Sequence, residues 1–141
     1  MSYRYLDHGA DIGLEVESNS LEGLFAEAGR AIFSVMADLD SVGGRQSVNI
    51  SLQGDDLDDL LYRWLSELVS RSNLQGQIYV RFPDLEIEES DSGLSLKAKA
   101  RGERINPQVH ELGTEVKAVT YQGLEIEREE EGWRCKFVVD V

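Results

Sequence analysis

Two aspartates, Asp11 near the start of the chain and Asp140 near its end, are the residues best placed to do chemistry together. Asp11 stands at the entrance of the alternating segment Ile12 to Val16, and Asp140 follows an alternating segment that begins at Trp133. The entrance of one strand lies beside the exit of its antiparallel neighbour, so the two carboxylates can meet. If the chain ends at Val141, its terminal carboxylate adds a third anionic group. Oxygen-only ligands would select a hard cation such as calcium, magnesium or manganese over zinc.

Structural roles explain the same acids equally well. Asp11 can cap a turn, and Asp140 can keep the end of a strand soluble. The residues alone therefore leave a metal site and an ordinary polar surface as equal alternatives.

Four further residues are candidate pocket or partner contacts. His8 and His110 are the only histidines, although a lone histidine is more often a hydrogen-bonded structural residue than a catalyst. Asp38 follows a predicted helix, so it either faces the same pocket as Asp11 or is an ordinary helix-terminal acid. Lys117 either extends along a sheet edge or directs its charge toward the acidic pocket.

Several catalytic signatures are missing from the sequence. It has no phosphate-binding glycine loop, dinucleotide fingerprint, nucleophile elbow or paired-cysteine zinc spacing. The single cysteine, Cys135, alternates with Trp133 and Phe137, which predicts a buried small hydrophobic residue. An independent enzyme is therefore disfavoured.

The charge of the chain limits its partners. The 141 residues include 27 acidic and 14 basic side chains, for a net charge of -13. Such a charge opposes stable binding to free nucleic acid or to an anionic membrane, and it favours cations or a basic protein surface. With one cysteine, no secretion signal and no apolar run long enough to span a membrane, a cytoplasmic protein is expected.

One basic stripe stands out against this acidic background. Lys97, Lys99 and Arg101 share one face of a predicted strand. A solvated sheet face is the default interpretation, and contact with a partner or RNA is a minority one.

The elements that position these residues follow from periodicity. Ser20 is the predicted N-cap of an amphipathic helix that extends to Leu39, and the acids of 55–59 open a second helix through Leu68. Capping accounts for that acidic cluster better than a metal site, because apolar residues follow at helical spacing. Short alternating segments elsewhere predict strands, which are Tyr3–Leu6, Ile12–Val16, Val48–Leu52, Ile78–Phe82, Leu85–Glu89, Leu94–Ala100, Val116–Tyr121, Leu124–Glu129 and Trp133–Val141.

This order of elements predicts an α+β fold. Residues 1–141 are expected to form a single domain in which an antiparallel β-sheet carries both amphipathic helices on one face.

Several segments together resemble the archease family in order and spacing, and the resemblance covers nearly the whole chain. The segments are His8-Gly9-Ala10-Asp11-Ile12-Gly13, the stretch from His110 to Tyr121, Phe33 to Leu39, Asp59 to Leu65 and Val139-Asp140-Val141. Gly9 and Gln122 depart from the family pattern, in which a threonine and a histidine are usual.

The resemblance implies a site and favours the metal alternative. In archeases the matching aspartates and the terminal residue are metal ligands, which implies Asp11, Asp140 and Val141 here, with calcium as the first expectation. It also strengthens His8, His110 and Asp38 as pocket or partner residues.

The resemblance further implies a non-catalytic accessory protein. Archeases support the GTP-dependent RNA-splicing ligase in tRNA splicing and RNA repair, promoting its guanylylation and multiple turnover. An alternative partner is a tRNA cytosine-5 methyltransferase, for which the protein would be a chaperone or specificity modulator. A small metal-dependent hydrolase is the less favoured third alternative.

Overall fold

The computed structural model describes residues 2–8, 11–110 and 112–141, without the side chains of Asp7 and His8. Within these ranges the chain forms eight strands and two helices. The strands are β1 (Ser2–His8), β2 (Asp11–Ser18), β3 (Gln46–Gly54), β4 (Gln77–Arg81), β5 (Glu86–Ser90), β6 (Gly93–Arg104), β7 (Ala118–Glu129) and β8 (Gly132–Asp140); the helices are α1 (Leu21–Met36) and α2 (Leu57–Gln75).

Helix α1 begins as the sequence predicts and ends earlier. The Ser20 side chain accepts a hydrogen bond from the Gly23 amide, which is the predicted N-cap. The helix stops at Met36, three residues before the predicted end, because Ala37 is extended and pairs with Leu112. The amides of residues 113 and 114 then bind the carbonyl oxygens of Met36 and Val35, so a distant segment satisfies the end of the helix.

Helix α2 confirms the capping interpretation of its acidic start. The Asp56 side chain accepts a hydrogen bond from the Asp59 amide at 2.8 Å. Gly76 ends the helix in the left-handed conformation, with φ of 64°. In its middle, the buried Trp64 donates a hydrogen bond to the carbonyl oxygen of Phe25, which joins the two helices.

The strands form two antiparallel sheets. Sheet I has the order β1-β2-β8-β7, and sheet II has the order β3-β6-β4, with β5 also paired to β6. Both helices contact both sheets and therefore lie between them. The α+β class is confirmed, with the helices on one face of each sheet, while the single sheet that we expected is two sheets.

The core fills the space between the sheets. Inward-facing residues such as Leu14 and Phe137 in sheet I, Leu96 in sheet II and Leu65 in α2 belong to one buried cluster. Each sheet consequently has an outer face without a helix.

Strand β7 unites two predicted strands. The register with β8 shifts between Thr120 and Glu125, and Gly123 has φ of 80° within this irregularity. The glycine allows a bulge between the two predicted strands, so the chain continues along the same neighbouring strand.

No helix in the described part of the chain has the length and apolarity needed to span a membrane.

Candidate functional site

Four strand ends converge at one end of sheet I. The register pairs His8 with Asp11, Ile12 with Val139 and Ala118 with Asp140. One position beyond the Ile12–Val139 pair, Asp11 and Asp140 are neighbours on adjacent strands. Residues directly opposite each other in such a ladder have Cα atoms about 4.5–5.5 Å apart.

Both aspartates lie on the outer face of sheet I. Ile12 and Val139 pack toward the core, so strand alternation directs Asp11 and Asp140 to the other face. Asp11 is half-buried and Asp140 is exposed. The side chain of Val141 packs against the core, which anchors the backbone beside Asp140.

The donor set at this end is composed of oxygen atoms. The backbone carbonyl oxygen of Asp140 already accepts a hydrogen bond from the Lys117 amide at 2.8 Å. The side-chain groups that remain available to bind a cation are the two carboxylates. No group of three His, Cys, Asp or Glu side chains suited to a metal occurs among the residues that the structure describes. The third predicted donor is a main-chain carboxyl group, which is present only where Val141 ends the chain. Two carboxylates with a main-chain carboxyl group fit a hard cation.

A shallow cavity of about 440 Å³ lies beside Asp11 on the outer face. Gly13 and Gly123 contribute no side chains to fill it, and Lys136 is its cationic residue. The cavity could admit a small polar group next to the Asp11 carboxylate.

A buried glutamate in the same sheet holds three cations, and sequence reasoning missed it. Glu15 is only 5% exposed, and its carboxylate is 2.7 Å from Arg4, 3.7 Å from Lys136 and 3.9 Å from Arg134. Alternation places Glu15 on the outer face, but its burial depends on long side chains from two other strands. Arg134 also pairs with Glu129 at 2.7 Å and with Glu17 at 3.1 Å. Within the described residues these cations thus pair with glutamates of the sheet and form no ion pair with Asp11 or Asp140.

His110 is held at sheet II by hydrogen bonds to both ring nitrogens. Its Nδ1 accepts from the Asn106 amide at 3.0 Å, so Nε2 carries the proton and donates to Glu103 at 2.7 Å. The Gly43 amide also donates to this carboxylate at 2.8 Å. These two hydrogen bonds, that from Gly43 first, hold the pKa of Glu103 below its ordinary value. The structure therefore gives His110 a structural role and does not bring it to Asp11.

The side chains of Asp38 and Lys117 have surroundings of their own, although the backbone of Lys117 adjoins Asp140. Asp38 is exposed, and its side chain accepts a hydrogen bond from the Asp40 amide at 3.1 Å, which caps a short 3-10 turn. Lys117 lines a cavity of about 420 Å³ with residues of α2, including Ser66 and Asn73. In the described residues Lys117 forms no ion pair.

Two other residues complete the account of the candidates. The backbone of His8 pairs with Asp11, whereas its side chain lies outside the described part of the structure. Cys135 is buried, as predicted, and burial raises its pKa to about 12, which makes it a poor nucleophile.

Comparisons with known proteins agree over the whole fold. The model of the Archease protein family (MTH1598/TM1083) matches residues 3–141. Protein archease of Methanosarcina acetivorans is 39% identical over 139 residues, covering 99% of this chain and 95% of the relative.

Two solved structures share the architecture. The solution structure of Methanobacterium thermoautotrophicum protein 1598 has a TM-score of 0.85 and 32% identity, covering 99% of this chain and 98% of that one. The crystal structure of an archease, possible chaperone, from Thermotoga maritima has a TM-score of 0.66 and 23% identity, covering 98% and 96%. The Methanobacterium protein is similar to this chain in both sequence and fold, and the Thermotoga protein is similar in fold alone. By its family match and its relatives, this chain belongs to the archease family.

Proposed function

We propose that this protein is a non-catalytic activator of the GTP-dependent RNA-splicing ligase, which it helps through guanylylation and multiple turnover in tRNA splicing and RNA repair. The observation that carries the proposal is the convergence of Asp11 and Asp140 on the outer face of sheet I, in a chain that belongs to the archease family. The net charge of -13 suits a cytoplasmic client with a basic surface for holding RNA.

Asp11, Asp140 and, where Val141 ends the chain, its carboxylate are the proposed ligands of a divalent cation. Calcium is the first candidate and magnesium or manganese are the others, because all three prefer oxygen ligands. Presented at the ligase's nucleotide site, such an ion would orient phosphates and neutralise developing charge.

Calorimetry tests the cation site directly. We expect Asp11→Asn and Asp140→Asn each to weaken calcium binding, because each removes an anionic ligand. Asp91→Asn, in the β5–β6 turn, is the control with the same change in charge. At calcium concentrations about 100 times Kd, the wild-type protein should gain roughly 2.7 kcal/mol of stability. Unchanged calcium affinity in both site variants would remove the metal from the proposal.

Turnover assays test the partner. In substoichiometric amounts, with GTP and a divalent metal present, the protein should increase ligase turnovers without altering RNA by itself. Asp11→Asn and Lys117→Ala should reduce this stimulation while melting like the wild type, and Asp91→Asn should retain it. If wild-type protein leaves turnover unchanged with calcium, magnesium and manganese, the ligase proposal is wrong.

A chaperone for a tRNA cytosine-5 methyltransferase is the second candidate. The description of the Thermotoga maritima structure as a possible chaperone, together with its fold likeness, favours it. Light scattering of the heated methyltransferase would measure the activity. Suppression of aggregation that survives Asp11→Asn, without any effect on the ligase, would support this candidate. Hydrolysis of phosphoesters by the protein alone would instead indicate the third alternative, a small hydrolase.

A further inference from the structure

The outer face of sheet II carries a continuous row of cations. Lys97, Lys99 and Arg101 are exposed on β6 and alternate with residues that face the core. Arg81 on β4 is the register partner of Arg101, and Arg45 directly precedes β3. We call these five residues the basic stripe.

The stripe is continuous in space. The guanidinium of Arg81 fills the position that a side chain at Gly44 would occupy, which brings it next to Arg45. Arg45 also lines an open cavity of about 710 Å³ together with Arg104 and Glu103, so the row of cations ends at this hollow.

These cations have few close charged partners within the described residues. No member of the basic stripe forms an ion pair there, whereas Arg4, Arg134 and Lys136 of sheet I all do. The nearest carboxylate at one end, Glu103, is occupied by the Gly43 amide and His110. At the other end, Glu86 of β5 is the register partner of Lys97, whereas the register partners of Lys99 and Arg101 are Asn49, Ser47 and Arg81. The stripe therefore presents most of its charge to solvent, with one acidic neighbour at the Lys97 end.

Such an arrangement costs stability. Arg81 and Arg101 carry like charges and lie directly opposite each other on the adjacent strands β4 and β6, which is destabilising. Only Lys97 has an acidic register partner, Glu86, although the protein has 27 acidic residues. An anionic ligand would remove the repulsion.

The form of the stripe favours a linear polyanion. Alternate residues on one strand place the charges of Lys97, Lys99 and Arg101 about 7 Å apart. The neighbouring strand β3 presents the exposed polar side chains that commonly donate hydrogen bonds to phosphate and sugar oxygens, namely Ser47, Asn49 and Ser51. None of these side chains is aromatic, so bases have no stacking platform and the contact would not depend on sequence.

We propose that the basic stripe binds the phosphate backbone of single-stranded RNA. The biological setting rests on the proposed function, because the RNA would be that held by the ligase, with the stripe contacting it from sheet II. The net charge of -13 keeps the affinity of the isolated protein weak, so the contact matters where a client already holds the RNA.

Titration of the ¹⁵N-labelled protein with a 12-nucleotide oligouridylate, followed by NMR up to millimolar RNA, tests the inference. We expect shift changes confined to amides of β6 and to the adjoining parts of β3 and β4. Three phosphate contacts predict that the affinity falls about tenfold between 50 and 150 mM salt.

Matched variants separate the stripe from net charge. Replacing Lys97, Lys99 and Arg101 together by Gln should abolish the shifts. The control triple variant replaces three arginines that lie elsewhere by Gln and should retain the shifts; these are Arg71, Arg128 and Arg134. Both variants lose three positive charges, and their melting temperatures report whether each is folded.

Four outcomes would overturn the inference. The first is that RNA causes no shift changes in the wild-type protein, and the second is that the shifts lie on sheet I. The third is that the folded control variant loses the shifts as fully as the stripe variant does. The fourth is that an oligo-aspartate peptide produces shifts in the stripe when RNA does not. The last outcome would assign the stripe to an acidic protein. Because the titration contains no ligase, its result is independent of the turnover assay, and failure of either proposal can be recognised separately.

Discussion

A single carboxylate connects three separate parts of sheet II and its loops. Glu103 on β6 accepts hydrogen bonds from the Gly43 amide and from His110. His110 in turn fixes the Asn106 amide. These bonds hold the segment after β6 against the segment before β3. They give a structural role to His110, which the sequence left as either a structural residue or a pocket or partner contact.

Glu103 should make stability depend on pH. Since its folded pKa is below the ordinary value of 4.5, it stabilises the protein above that value and loses the effect as pH falls through the folded pKa. We expect Glu103→Gln to cost about 1.5 kcal/mol at pH 6, because hydrogen bonds to a charged acceptor are lost, and little at the acid end. Urea unfolding at several pH values from 6 to 3 measures this. A pH-independent cost, or a cost no larger than that of the exposed Glu88→Gln, would contradict the assignment.

The acidic start of α2 shows how an element uses a cluster that looks like a cation site. Asp56 caps the helix, and Asp59 accepts from the Asp55 amide and pairs with Arg63 at 3.0 Å. Asp58 accepts a hydrogen bond from the Ile126 amide of β7. Each of these three carboxylates has a structural partner, so a metal is not needed to explain the cluster.

Asp56→Ala should therefore destabilise the protein by about 1 kcal/mol, the usual cost of losing an N-cap. Asp55→Ala removes the same charge from the neighbouring position, whose carboxylate forms no hydrogen bond with the described residues. Denaturant unfolding of the two variants should differ accordingly. Equal losses would indicate that charge at the helix start matters and the cap does not.

Elements and caps were predictable because they depend on local sequence. Ser20, Asp56 and the alternation around Phe137 each act within a few residues, and their roles follow from spacing. The neighbouring positions of Asp11 and Asp140 followed from antiparallel geometry. The direction of Lys117 did not, because that residue precedes β7 and faces α2.

Across the whole molecule, strand order was the main feature that periodicity could not supply. Alternation shows that a strand has one buried face, but it does not identify the neighbouring strand. Packing around the two helices therefore determines two long-range features. It places β8 between β2 and β7, and it separates β3 to β6 into a second sheet.

The charge of the whole molecule gives a further prediction. At a net charge of -13 the acidic side chains repel one another on balance, and salt screens this repulsion. We expect the melting temperature to rise by about 3–5 °C between 20 and 300 mM sodium chloride, corresponding to about 1 kcal/mol. Differential scanning calorimetry measures it. Salt should raise the melting temperature less in the variant with Glu88→Lys and Glu89→Lys, both at exposed positions of β5. An equal or larger increase in its melting temperature would exclude repulsion between the acidic side chains as the cause.

The position of β8 inside sheet I affects how the protein is made. On the ribosome, β1 and β2 emerge first, whereas the strand that lies between β2 and β7 emerges after all the others. Until then the nascent chain holds an unfinished sheet with two unpaired edges, which are open to wrong partners. Asp11 and Asp140 become neighbours only when this last strand inserts. The proposed cation site therefore cannot form before β8 has emerged, and an ion bound there would report that β8 has inserted between β2 and β7.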